Sequence, residues 1–120
     1  MSTKAQTDGR IVLISDSKAA NMNLEELAEH ADEAVQLLKA LSNRNRLMVL
    51  CILSEGELSV AELLDRVPLS QSALSQHLAL LRGDELVKTR KEAQTVYYSL
   101  QDENAACVIS LLHEIYCPPT

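Results

Sequence analysis

Phenylalanine and tryptophan are absent from the chain, and tyrosine occurs only three times. With 120 residues and a hydrophobic fraction of 47%, a single domain is expected, its core built from Leu, Val, Ile, Ala and Met. Such side chains suit packed helices. The core is thin for a small monomer, so a core shared with a second copy is expected. Glycine occurs only three times, and no glycine-rich phosphate loop is present. Nor is there a Cys/His/Asp arrangement, which speaks against a thiol enzyme such as a sulfurtransferase without removing it as an alternative. No catalytic residue and no cofactor are expected. The three cysteines (Cys51, Cys107, Cys117) are an odd number without close spacing. That excludes a disulfide scaffold and a CxxC zinc site, and leaves a redox pair open. No apolar run approaches the ~20 residues of a membrane span. The stretch from Ile11 to Ile14 is too short for a signal peptide. The chain reads as cytoplasmic, where thiols stay reduced by default.

Positive charge is also scarce, and the net charge is −6. An acidic chain is a poor non-specific ligand for nucleic acid, but the imbalance is not uniform. Residues 1–42 carry 4 basic and 7 acidic side chains, residues 43–94 carry 7 of each, and residues 95–120 carry none and 3. The middle is neutral between two acidic ends. Residues 66–83 hold Arg66 and Arg82 and no acid, and residues 88–91 read Lys-Thr-Arg-Lys.

Residues 1–22 are polar and aperiodic and read as a mobile tail. Residues 23–120 form the structured domain. Leu24, Leu27, Ala28, Ala31, Val35, Leu38 and Leu41 have helical spacing with a near-heptad seam. Ser42 or Asn43 can cap a second helix over 43–54, whose stretch from Leu47 to Leu53 is apolar all round and belongs at the centre of the core. Ser59-Val60-Ala61-Glu62 has the form of a capping box and starts a short third helix to about Val67. Ser70 can cap a fourth, ending near Gly83. Leu86 to Arg90 and Thr95 to Leu100 form a hairpin around Lys91–Gln94, with Val96, Tyr98 and Leu100 on a buried face. Asp102 or a neighbour caps a last helix with the stripe Val108, Leu111, Leu112, Ile115, stopped by Pro118-Pro119. The fold class is mainly α with a β-hairpin wing. It is a winged helix-turn-helix in the order helix, helix, helix, helix, hairpin, helix.

On the fourth helix, stepping about 100° per residue from a core-facing Leu74 places Leu78 and Leu81 on the same side. Ser72, Ser75, Gln76 and Ala79 fall on the other. The outward groups are short donors, acceptors and a methyl, as base edges in a DNA major groove require. Gln71 sits in the first turn, where the helix terminus can meet phosphate. His77 points sideways toward the backbone. Lys88, Arg90, Lys91 and Gln94 on the hairpin suit phosphate or minor-groove contact. The expected partner is double-stranded operator DNA.

The stretches "LLKALSNRNRLMVLCIL", "LSQSALSQHLALLR" and "RKEAQTVYYSL" resemble the ArsR/SmtB winged-helix repressors, over about Leu24 to Cys117. The resemblance implies a homodimer, formed through the first and last helices, that leaves its operator when an inducer binds. Metal-sensing relatives place Cys-x-Cys in the third helix, where this chain has Ser59-Val60-Ala61. Others pair ligands across the last helices, where Asp102 and His113 fit but Asn104 and Tyr116 stand at ligand positions. No metal site is expected. Cys51 in "LCIL" and Cys117 in "IYCPP" are similar to the thiols of the BigR/SqrR-type, HlyU-like branch. There two cysteines respond to persulfides or polysulfides, can form a bridge of several sulfur atoms, and DNA affinity falls. The resemblance thus implies a redox-sensing pair, Cys51 and Cys117, with reactive sulfur species as the inducer and Cys107 as an accessory thiol. Cys107 and Cys117 would stand about 15 Å apart within one helix, beyond the roughly 7 Å a disulfide spans. A general oxidant sensor closing a plain disulfide is the first alternative reading, with a metal-responsive repressor or a thiol sulfurtransferase behind it.

Overall fold

The computed structural model describes residues 23–119; the expected tail over 1–22 lies outside the described residues. The chain divides into two units, Met1–Ala34 and Val35–Thr120. In the first, Asn23 caps α1 (Leu24–Glu29), its side chain accepting from the amides of Glu25 and Glu26. The long first helix expected from the seam is interrupted at His30. Its N–H turns back to the Leu27 carbonyl at 3.0 Å, and its own carbonyl accepts from Ala34. A new helix, α2 (Ala31–Leu41), starts there. The imidazole Nδ1 lies 2.7 Å from a Glu33 carboxylate oxygen, a local pairing that suits a helix start.

In the second unit the core is aliphatic throughout. It gathers Ala40 and Leu41 with Val49, Leu50, Ile52 and Leu53 of α3 (Arg44–Leu53). Asn43, rather than Ser42, caps α3, accepting from the Asn45 and Arg46 amides at 3.0 Å each. Arg46 reaches back and donates to the Ala40 and Lys39 carbonyls, satisfying the exposed end of α2. α3 is less enclosed than its sequence suggests, since Met48 is exposed and Cys51 half-buried.

A two-stranded wing was expected; the sheet has three strands, in the order β1-β3-β2. β1 (Leu58–Ser59) pairs antiparallel with the middle of β3 (Thr95–Leu100), Leu58 opposite Tyr98 and Ser59 opposite Tyr97. Ser59 then serves as the cap of α4 (Val60–Leu64), with both halves of the capping box formed: the Glu62 amide donates to Ser59 at 3.2 Å and the Ser59 amide to Glu62 at 2.8 Å. α4 ends earlier than expected, and its neighbours Val67 and Leu69 run into Ser70. That residue caps α5 (Gln71–Gly83) by accepting from the Ala73 amide at 3.1 Å. Leu74, Leu78 and Leu81 are buried as the 100° stepping required.

α5 ends at Gly83, as its sequence suggests. Asp84 is the cap, and Glu85 takes the left-handed conformation, with φ 61°. The Glu85 amide donates to the Arg82 carbonyl at 3.0 Å and the Leu86 amide to Leu81 at 2.9 Å. Buried Leu86 and Leu81 close this turn, completing a Schellman motif with a carboxylate side chain where glycine is usual. Glycine at position 85 is therefore expected to stabilise the fold by about 0.5–1 kcal/mol, relief of left-handed strain outweighing the added chain entropy. Thermal unfolding checks it: Tm should rise by about 3–6 °C, and a fall would contradict this account of the turn.

β2 (Val87–Glu92) pairs with β3 along its whole length, from Val87 opposite Leu100 to Glu92 opposite Thr95. β3 has the expected bounds, β2 runs two residues further than expected, and the loop is reduced to Ala93 and Gln94, with Ala93 at φ 56°. Lys91 is a strand residue. α6 (Glu103–Tyr116) is capped by Asp102 and ends at Cys117, whose amide donates to the His113 carbonyl at 2.8 Å. Its buried stripe is Ala105 and Ile109, flanked by Val108. Leu111 and Ile115, part of the apolar stripe read from the sequence, are 51% and 56% exposed. They lie on a second apolar face of α6 that the single chain leaves uncovered.

Candidate nucleic-acid interface and thiol pair

Two short helices joined by a tight link, α4 and α5, are followed at once by the β2–β3 hairpin. Gln71, Ser72, Ser75, Gln76 and Ala79 are exposed along one side of α5, and His77 is half-buried at the flank. The Ser72 hydroxyl lies 3.4 Å from that of Ser70. The first turn of α5 has no acidic residue, so its free amides face outward unopposed. Of the residues assigned to base or phosphate contact on this helix, Gln71, Ser72, Ser75 and Gln76 are therefore exposed and His77 is partly so.

The wing divides its three cations into two kinds. Lys88 and Lys91 are exposed. Arg90 is engaged. Its Nε donates to Glu57 Oε2 at 3.0 Å and its Nη2 to Glu57 Oε1 at 2.8 Å, with Glu92 3.5 Å from Nη1. The guanidinium carbon stands 4.6 Å over the centre of the Tyr97 ring. The Arg90 hydrogen bonds hold the Glu57 carboxyl below the usual carboxylate range, with the charges of Arg90 and Lys88 acting in the same direction. Glu57 and Tyr97 were not legible as functional residues. Glu57 precedes a two-residue strand and meets Arg90 33 positions away, a pairing with no local pattern.

Cys51 lies on α3 and Cys117 at the end of α6. Burial pushes the Cys51 thiol up, and the negative charges of Cys117 and Glu55 push it further. Cys51 is half-buried, whereas Cys117 and Cys107 are exposed. All three are free thiols. Among the described residues, no group of three or more His, Cys, Asp or Glu side chains is placed to hold a metal ion. No described helix is long and apolar enough to cross a membrane.

Helix-turn-helix, wing and exposed polar recognition face together define a winged-helix transcriptional regulator. The description "Bacterial regulatory protein, arsR family" matches residues 43–89, and the chain belongs to the ArsR family. It is 57% identical over 100 residues to the transcriptional activator HlyU of Vibrio cholerae, covering 83% of this chain and 93% of that protein. The crystal structure of HlyU from Vibrio vulnificus superposes with a TM-score of 0.74 at 57% identity, over 80% of this chain and all of that one. That of the transcriptional repressor BigR from Xylella fastidiosa gives 0.76 at 40% identity, over 80% and 98%. The same architecture thus serves an activator and a repressor.

Proposed function

We propose that the protein binds operator DNA as a homodimer and is released when sulfur atoms bridge Cys51 and Cys117. The observation that carries this reading is the exposed, acid-free polar face of α5 in a chain with free thiols on two helices, Cys51 half-buried on α3 and Cys117 exposed at the end of α6. The charge of Cys117 is among the causes that raise the Cys51 thiol. Leu38 on α2 and Leu111 and Ile115 on α6 are more than half exposed, apolar surface of the kind a second copy covers. Gln71, Ser72, Ser75 and Gln76 read bases or the flanking backbone, His77 approaches the backbone, and Lys88, Arg90, Lys91 and Gln94 form the wing contact.

The chemistry balances with a hydrogen polysulfide as oxidant. The exposed Cys117 thiolate attacks the central sulfur of HS–S–SH, forming Cys117–S–S–SH and expelling HS⁻. The Cys51 thiolate then attacks the sulfur next to Cys117 and expels a second HS⁻, leaving Cys51–S–S–S–Cys117. Two thiols and one polysulfide become one trisulfide and two sulfides. The bridge ties α3, which carries the core, to α6, so the two reading heads of a dimer no longer meet half-sites one helical turn apart.

Intact mass and operator binding, measured on the same samples, test this. The duplex is the fragment upstream of the protein's own gene. Polysulfide should add about 30 Da per chain, one sulfur gained and two hydrogens lost. Affinity should fall about 5- to 150-fold, the usual span of such coupling. Peroxide giving a loss of about 2 Da with equal release would instead support the disulfide sensor. Release by zinc with no mass change would set both thiol readings aside.

A further inference from the structure

Arg90 reaches Glu57 across a whole strand. Residues opposite one another in an antiparallel pair point to the same face, so Arg90, Tyr97 and Ser59 form a row over β2, β3 and β1. Glu57 stands two residues before Ser59 and falls on the same face by alternation. The guanidinium carbon stands 4.6 Å from the Tyr97 ring centre, and the Nε and Nη2 edge faces the carboxylate. That is the edge with which a guanidinium takes a phosphate in two parallel hydrogen bonds. The same donors cannot serve both acceptors. The pair is not sealed off, either: Arg90 is 50% and Glu57 35% exposed, so a phosphate has access to it.

We propose that Glu57 is a built-in competitor for DNA phosphate at Arg90, setting how much charge the wing delivers. In the free protein the carboxylate holds the guanidinium over Tyr97. On DNA the guanidinium exchanges carboxylate for phosphate, and the wing grips only by the difference between the two. The net charge that the pair brings to the duplex is zero, a second carboxylate, Glu92, stands 3.5 Å from the same guanidinium, and Lys88 and Lys91 supply the remaining exposed cations. Tyr97 keeps the arginine in place during the exchange, since a cation over a ring face retains that attraction with either anion. A wing with muted charge adds little to binding on any duplex, so an acidic protein keeps its absolute hold on arbitrary sequence weak. The inference rests on the reading that the wing meets DNA.

A double-mutant cycle of Glu57→Gln and Arg90→Gln tests it, on the operator fragment and on a random duplex of equal length. Glu57→Gln should tighten binding to both duplexes by about threefold, the scale of an exposed ion pair. The plot of log affinity against log salt should steepen by about 0.9 for each wing that engages. Arg90→Gln should weaken binding about threefold in the wild-type background and about tenfold in the Glu57→Gln background. Equal losses in the two backgrounds would overturn the proposal. So would weaker binding by Glu57→Gln with a lowered Tm, which would make the pair a structural brace. Glu57→Ala provides a second neutral variant should glutamine fail to fold. Wild-type protein that bound neither duplex would refute the DNA-binding reading itself, a result distinct from an additive cycle.

Discussion

With serine in place of Cys51, the reduced protein is expected to hold its operator within about threefold of wild type, yet polysulfide should no longer release it. The substitution removes one thiol and leaves α3 in place. A half-buried hydroxyl costs about 1 kcal/mol or less when it can still reach a backbone carbonyl. The release, worth about 1–3 kcal/mol, needs two sulfurs on two helices, and one cannot make the tie. Cys117→Ser should behave alike in binding and differ in mass. Cys51→Ser should still accumulate sulfane sulfur on the exposed Cys117, whereas Cys117→Ser should accumulate little, because the remaining partner is half-buried and held protonated. Cys107→Ser should release normally. The raised Cys51 thiol also fixes the pH dependence. Below its pKa the thiolate fraction grows about tenfold per pH unit, so bridge closure should accelerate as pH rises, with the open Cys117–S–S–SH species collecting at low pH. Anisotropy for binding and intact mass for the adduct check both statements. Release that survives in Cys51→Ser would end the two-thiol account.

The elements that were legible in the sequence are those whose signal is local. Ser59 and Glu62 sit three apart and cap each other. Ser70 caps α5, and Leu74, Leu78 and Leu81 mark its inner side by periodicity alone. The features that escaped are long-range or of comparable energy in two local forms. β1 has two residues and exists because β3 offers a free edge some forty positions later. The bond between Glu57 and Arg90 follows from that edge. The apolar seam through residues 24–41 continues across His30 undisturbed, so hydrophobic spacing could not reveal a break made by a single residue's backbone. α5 ends at Gly83 as its sequence suggests, but the left-handed residue of the turn is Glu85, fixed by the hydrogen bond from Leu86 to Leu81, which no local pattern announces. On α6, Leu111 and Ile115 have helical spacing with Val108 and Leu112, yet the inner side is set by Ala105 and Ile109. Helical spacing alone does not distinguish a face packed on the chain's own core from a face left uncovered.

Replacing Gln76 by glutamate is expected to abolish operator binding, lowering affinity by about a hundredfold or more, with stability within about 0.5 kcal/mol of wild type. Gln76 is exposed on the outer side of α5, so the folded core does not register the change. The groove does. A carboxylate loses the amide's donor to adenine N7, a bidentate pair worth about 1–3 kcal/mol. It also places a negative charge between two phosphate strands, and like-charge contact at an interface costs several kcal/mol more. The absence of acid from residues 66–83 is what such a cost would enforce on any surface that enters DNA. Gln76→Ala separates the two contributions. It should lose only the amide pair, about 5- to 150-fold, and relax discrimination at one base position while leaving the salt dependence unchanged. The glutamate variant should also reduce the salt dependence, since it brings one fewer net positive charge to the duplex. Titration of both variants on operator and random duplex at two salt concentrations reads all of this. Gln76→Glu binding at wild-type strength would mean that this face of α5 does not enter the groove, and the outward side of the helix would need another partner.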